Sequence, residues 1–167
     1  RYAELLAADG IQVELRTTQG SAENLKLLRD PASGVDLAFV QGGADRAHGP
    51  DEDADAGLVS LGSLFHEPVW VFYREDARQR LLGATPFDSL AQLPGWRINI
   101  GVPGSGIAVL TEKLIEANRL DVRQLDVARL GLTPGVVELL EGRLDAMVFV
   151  TAPESLMVQM LLRTPGI

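Results

Sequence analysis

The chain has 167 residues, carries a formal net charge of −8 and contains no cysteine. A nucleic-acid backbone or an anionic membrane needs clustered lysine and arginine, so the acidic balance argues against both as partners. Without cysteine the sequence has no disulfide framework, no thiolate metal site and no cysteine nucleophile. The length allows one ordinary domain or two small lobes, and the 46% of hydrophobic residues suffices for a buried core.

In the first part of the chain, segments with a helical pattern take turns with segments in which every second residue is apolar, as in a strand. Asp9-Gly10 and Asp30-Pro31 are typical helix ends, and a polar turn at 17–21 separates the first strand from the second helix. The predicted elements are helices over 1–8 and 22–29 and strands over 11–16 and 35–40.

Residues 44–57 form a polar, acidic segment that is typical of a surface loop. Its carboxylates could be considered as metal ligands, but their spacing does not match the calcium-loop pattern. We therefore expect no metal there. The residues concerned are Asp45, Asp51, Glu52, Asp53 and Asp55.

Two further apolar segments, 58–64 and 69–73, precede a mixed polar stretch over 74–93. Pro86 and Pro94 interrupt that stretch. The change in composition predicts a passage between two lobes, with the first lobe ending near residue 75.

The second half opens with a strand over 97–102, a glycine loop at Gly104-Ser105-Gly106 and a helix over 108–118. A glycine loop at a helix N-terminus presents backbone N–H donors and the positive end of the helix dipole. Such a loop suits a carboxylate, a phosphate or a similar oxyanion.

The remaining residues continue the alternation of helix and strand. The predicted elements are an irregular stretch with a short strand over 122–130, a helix capped by Thr133 and ended at Gly142, a buried strand over 146–150, and a last helix after 151–153. Strand–loop–helix order of this kind predicts an α/β fold with mainly parallel sheets.

The two halves resemble each other, because each contains a strand, a Gly-Ser loop and a helix. This internal similarity predicts two α/β lobes, residues 1–75 and residues 76–167, with 74–93 connecting them. Ligands bind beyond the carboxyl ends of strands in such sheets. The loops expected around one cleft are therefore 17–21, 41–43, 103–107 and 149–153.

The glycine loop does not match the common catalytic and nucleotide motifs. Ile107 follows it where a Walker A loop has lysine, Val109 stands where a dinucleotide fingerprint has its last glycine, and Pro103 replaces the first glycine of a nucleophile elbow. The two histidines, His48 and His66, form no triad with a serine. We expect no catalytic residue and no cofactor.

Several polar residues remain as ligand contacts, each with a structural alternative. Ser21 and Ser105 could touch a ligand or simply cap a helix, and Gln41 could do so or lie in a plain turn. Further donors near the first loop are Thr17, Thr18, Gln19 and Asn24. Arg16 and Arg97 could reach an anion or be ordinary surface charges. Glu67 and Trp70 precede the crossing between the lobes, where a tryptophan is more typical of a core than of a stacking platform.

Taken together, the sequence resembles the TAXI-type solute-binding proteins of tripartite ATP-independent periplasmic (TRAP) transporters. The segments that carry the resemblance are TTQGSAENLKLL, GVDLAFVQ, LFHEPVWVFYR, LPGWRINIGVPGSG and LLEGRLDAMVFV. The resemblance implies a type II periplasmic-binding-protein fold whose two lobes close on a small ligand about the crossing near Tyr73. The ligand residues that it implies are Thr18, Gly20, Ser21, Asn24, Gln41, Gly104, Ser105 and Gly106.

The sequence departs from that family in two respects. Ile107 stands where the family usually has threonine, which removes a hydroxyl from the glycine loop. The family's first strand and the return segment of the first lobe are also missing, so the resemblance implies a fragment with incomplete lobes. We expect either a compromised site or a partner chain, such as a second copy, that fills the gap.

The leading hypothesis is a non-enzymatic, periplasmic receptor that captures a small anionic or zwitterionic carboxylate for membrane transporter subunits. The chain itself contains no signal peptide. The alternatives are a ligand-sensing domain of a regulator or sensor with the same fold, and a cofactor-biosynthesis enzyme on the same scaffold. The lack of an acid–base constellation speaks against the enzyme.

Overall fold

A computed structural model describes residues 2–42 and 57–167. In this part of the chain there are six α-helices and four β-strands. The helices are α1 (Tyr2–Ala8), α2 (Ser21–Arg29), α3 (Glu75–Leu82), α4 (Gly106–Ala117), α5 (Leu132–Leu140) and α6 (Leu156–Leu161). The strands are β1 (Val69–Tyr73), β2 (Arg97–Asn99), β3 (Asp126–Ala128) and β4 (Ala146–Val150).

The four strands form one mixed, mostly parallel sheet in the order β1-β4-β2-β3. Strands β4, β2 and β3 run parallel, with Ile98 opposite both Ala146 and Val127, whereas β1 is antiparallel to β4. The predicted α/β class is therefore confirmed. The parallel strands end together beside the glycine loop.

The core lies on both faces of this sheet. Ala146 and Val148 of β4 pack with Trp96 and Ile98 on one face, where α3 and α4 contribute Ala77 and Ile115. Alternate residues of β4 turn to the other face, where α5 and α6 cover them, and all five residues of the strand are buried. A strand covered on both faces is apolar throughout, which explains the uninterrupted run at 146–150.

The predicted strands over 11–16 and 35–40 are wrong, because neither segment pairs with a neighbour. Their apolar side chains stay exposed, with Leu15 at 79%, Leu37 at 62% and Phe39 at 61%. Alternation decides which face of a strand is apolar, but the strand itself requires hydrogen bonds to a neighbouring strand. Residues 2–42 and 57–68 thus contain no first-lobe sheet.

Smaller differences follow from local hydrogen bonding. Strand β2 ends at Asn99, three residues earlier than predicted, because the chain turns at Gly101. The helix predicted to be capped by Thr133 begins one residue before it, at Leu132, with Gly131 as its N-cap. Helix α3, within 74–93, was not predicted; its polar sequence has little apolar periodicity.

Strand β1 belongs to the same sheet as the second half of the chain. It pairs with β4 along its whole length, from Val69 opposite Val150 to Tyr73 opposite Ala146. The crossing near Tyr73 is therefore part of the described sheet. The division into lobes at residues 75 and 76 stays a prediction.

Candidate functional site

The two Gly-Ser loops meet at the start of two helices. Gly20 is the N-cap of α2, and a Cβ built on it would lie 3.4 Å from Ser105 Cα and 3.8 Å from the Gly106 nitrogen. Ser105 is in turn the N-cap of α4. Gly20 has φ of +134°, a conformation that favours glycine, so the close approach depends on this residue type. The N-termini of α2 and α4 consequently lie next to each other.

Gln41 lies between these two helix starts and joins all four predicted loops. Its backbone N–H donates to Ser21 Oγ at 3.0 Å, and its side-chain Nε2 donates to Glu67 Oε2 at 2.8 Å. The same Nε2 lies 3.4 Å from the carbonyl oxygen of Val150, at the end of β4. Its Oε1 packs so closely on Gly106 that a Cβ there would overlap it. The sequence predicted that these loops share one place, and the structure brings them together.

The hydroxyl groups of the two serines are already engaged within the protein. Ser105 Oγ accepts a hydrogen bond from the Ala108 N–H at 3.2 Å and donates to the Val102 carbonyl at 2.8 Å. Ser21 Oγ accepts from Gln41, and α2 has no side-chain cap. Ser105 therefore caps its helix, as one of the two alternatives for the serines predicted, whereas Ser21 bonds to Gln41. The donors that these helix starts offer to a ligand are first-turn backbone N–H groups.

Thr18 and Asn24 hold the first loop in shape. Thr18 Oγ1 donates to Asn24 Oδ1 at 2.6 Å and accepts from the Gly20 N–H at 3.3 Å. Asn24 Nδ2 donates to the Phe39 carbonyl at 2.8 Å, which ties α2 to the segment before Gln41. A carboxylate also lies at this helix start, because Glu23 accepts from the Gln19 N–H at 2.7 Å.

Gly104 and Ile107 complete the second loop. Gly104 has φ of +82°, and no atom lies near the position of its missing Cβ. The Ile107 side chain packs over Gly101, 3.2 Å from the place where a Cβ would be. Ile107 thus covers the end of β2 and leaves the ligand-binding capacity of the loop to its backbone.

Asn99 is a positioning residue that the sequence analysis missed. Its side chain is buried at the end of β2; Oδ1 accepts from the Leu130 N–H at 2.8 Å and the Gly101 N–H at 3.3 Å, and Nδ2 donates to the Leu130 carbonyl. These bonds fix the backbone that leads into the glycine loop. An amide at the carboxyl end of the strand that precedes the glycine loop was the available signal.

Three of the side chains considered from the sequence make their contacts away from the glycine loops. Arg97 pairs with the buried Asp145 at 2.6 Å, and Arg16 donates to the Ser33 carbonyl. Trp70 Nε1 donates to the Thr151 carbonyl at 3.1 Å, and its ring stacks on Phe72.

Glu67, by contrast, joins the site through Gln41. Its half-buried side chain lines an open groove of about 590 Å³ beside that residue. Phe65, Pro153 and Glu154 line the same groove. A single glutamate before a proline carried no sequence signal for this contact.

The described residues, 2–42 and 57–167, also bear on metal binding and on membrane insertion. No three histidine or acidic side chains come together there as a metal site, and no helix there has the length and apolarity to cross a bilayer. The acidic carboxylates between Asp45 and Asp55 lie outside the described residues.

The mixed sheet, the covering helices and the convergent loops define a partial periplasmic-binding-protein-like α/β fold. Residues 2–166 match the model of the NMT1-like family, a periplasmic solute-binding-like family, and the chain belongs to it. Membership indicates a solute-binding role in general terms. A search of curated proteins found no match.

Proposed function

We propose that the protein is a non-enzymatic, extracytoplasmic solute receptor of the TAXI type. It captures a small carboxylate, an organic acid or an amino acid, and delivers it to the membrane subunits of a TRAP-type secondary transporter. Family membership supports the solute-binding part of this proposal. The resemblance described above supports its finer parts.

The observation that carries the proposal is the convergence of two helix N-termini on Gln41. Each helix end contributes first-turn backbone N–H groups and roughly half a positive charge. Two such ends at one point favour a carboxylate more than either does alone. The glycines at positions 20 and 106 let the two helix starts and Gln41 approach one another closely.

Isothermal titration calorimetry with a panel of organic acids and amino acids tests the proposal. We expect at least one small carboxylate to bind in the micromolar range or tighter, and its methyl ester, which lacks the charge, to bind at least about tenfold more weakly. If no member of a broad panel binds, or if acid and ester bind equally, the proposed carboxylate receptor is contradicted.

A further inference from the structure

The orientation of the Gln41 side-chain amide indicates the polarity of the groups on either side of it. Its Nε2 donates to Glu67 Oε2 at 2.8 Å, whereas its Oε1 packs against Gly106 at the start of α4. A hydrogen-bond donor therefore faces a carboxylate, and an acceptor oxygen faces a helix N-terminus. The position that the amide occupies therefore lies between a negative group, Glu67, and the positive end of α4.

The surroundings of Glu67 reinforce the negative pole. The groove beside it also holds the exposed Glu154, and neither lysine nor arginine is among the described residues that line it. A ligand with a carboxylate alone would bring a further negative charge close to Glu67. An ammonium group beside the ligand carboxylate turns this repulsion into attraction.

We propose that Glu67 is a specificity-determining residue, which selects ligands that carry an ammonium group next to their carboxylate. This inference rests on the proposed function and narrows its ligand class to 2-amino acids over the corresponding 2-hydroxy acids. The ligand displaces the Gln41 amide and reproduces its polarity. The ammonium group donates to the Glu67 carboxylate, and the carboxylate accepts from the N–H groups at the start of α4 and α2.

Calorimetric titration with matched pairs of acids tests this selection. The pairs are L-alanine and L-lactate, L-leucine and L-2-hydroxyisocaproate, and L-glutamate and L-2-hydroxyglutarate. For the pair that fits the site, we expect the wild-type protein to bind the amino acid about tenfold more tightly or better, since a charge-assisted hydrogen bond replaces a repulsion. This comparison needs no substitution.

Two variants then locate the effect. Glu67→Gln keeps the shape and an oxygen acceptor for Gln41 but removes the charge, and we expect the preference for the amino acid to fall to about threefold or less. Glu116→Gln removes an exposed carboxylate farther along α4 with the same change in net charge, and it should retain the wild-type ratio.

Hydroxy acids that bind the wild-type protein as tightly as amino acids would overturn the selection by Glu67 and leave the carboxylate receptor intact. An amino-acid preference that persists in Glu67→Gln would overturn the role of this residue. If no acid of either kind binds, the proposed function itself fails.

Discussion

Asp145 shows how a single residue joins three elements of the fold. Its carboxylate lies at the start of β4 and is only 2% exposed. Oδ1 pairs with Arg80 of α3 at 2.5 Å and with Arg97 of β2 at 2.6 Å, and Oδ2 accepts from the Arg97 backbone N–H at 2.9 Å. Burial alone would raise the pKa of Asp145, but these hydrogen bonds outweigh it and lower the pKa to about 2.

The lowered pKa predicts that stability is lost at acid pH. An aspartate in the unfolded chain has a pKa of about 3.9, so the unfolded state takes up a proton first. The contribution of Asp145 is complete above about pH 4 and declines as the pH falls toward 2, by about 2 kcal/mol in the free energy of unfolding. Urea unfolding at a series of pH values measures this loss.

Substitution isolates the contribution of this residue. We expect Asp145→Asn to lower the free energy of unfolding at pH 7 by about 3 kcal/mol, since two arginines lose a buried partner, and to flatten the decline below pH 4. The exposed Asp88→Asn should change neither. An Asp145→Asn variant with the same acid profile as the wild type would show that other carboxylates cause the decline.

At the scale of elements, the start of α4 is shaped by what a glycine permits. Gly106 is the first residue of the helix, and alanine is ordinarily the better helix former by up to about 1 kcal/mol. Here, however, a Cβ would overlap Gln41 Oε1 and lie 3.2 Å from Ser21 Oγ. Gln41 would have to move to make room for the Cβ, and the contacts that it loses oppose the gain in helix propensity.

We therefore predict that Gly106→Ala lowers the free energy of unfolding by about 1–2 kcal/mol, in the range of other overpacked sites. Gly42→Ala is the matched control, because no atom lies within 4 Å of its Cβ position, and it should stay within about 0.5 kcal/mol of the wild type. Chemical denaturation measures both. A more stable Gly106→Ala protein would mean that Gln41 moves aside at little cost.

At the scale of the whole molecule, the sequence was most informative where chain neighbours supply the partners. The strand at 146–150, the helix after the glycine loop and the meeting of the Gly-Ser loops all follow from local pattern and from the rule that parallel strands end at one edge. Strands over 11–16 and 35–40 were wrong, because alternation does not supply a pairing partner.

The sequence likewise indicated only part of the candidate site. Turn-forming glycines and helix caps indicated where the loops lie, so Gly20, Ser21, Ser105 and Gly106 could be named from the sequence. The partners of Gln41 could not, because Glu67 and Val150 are 26 and 109 residues away along the chain. Contacts of that kind depend on tertiary packing.

The central claim is that a small carboxylate binds where α2 and α4 begin. Two-dimensional ¹H–¹⁵N NMR of the protein during titration with the tightest-binding acid tests it most directly. We expect the largest shifts on the backbone amides of 20–23 and 106–108 and on the Gln41 side-chain amide. Shifts confined to α5 and α6, or none with any acid, would contradict it.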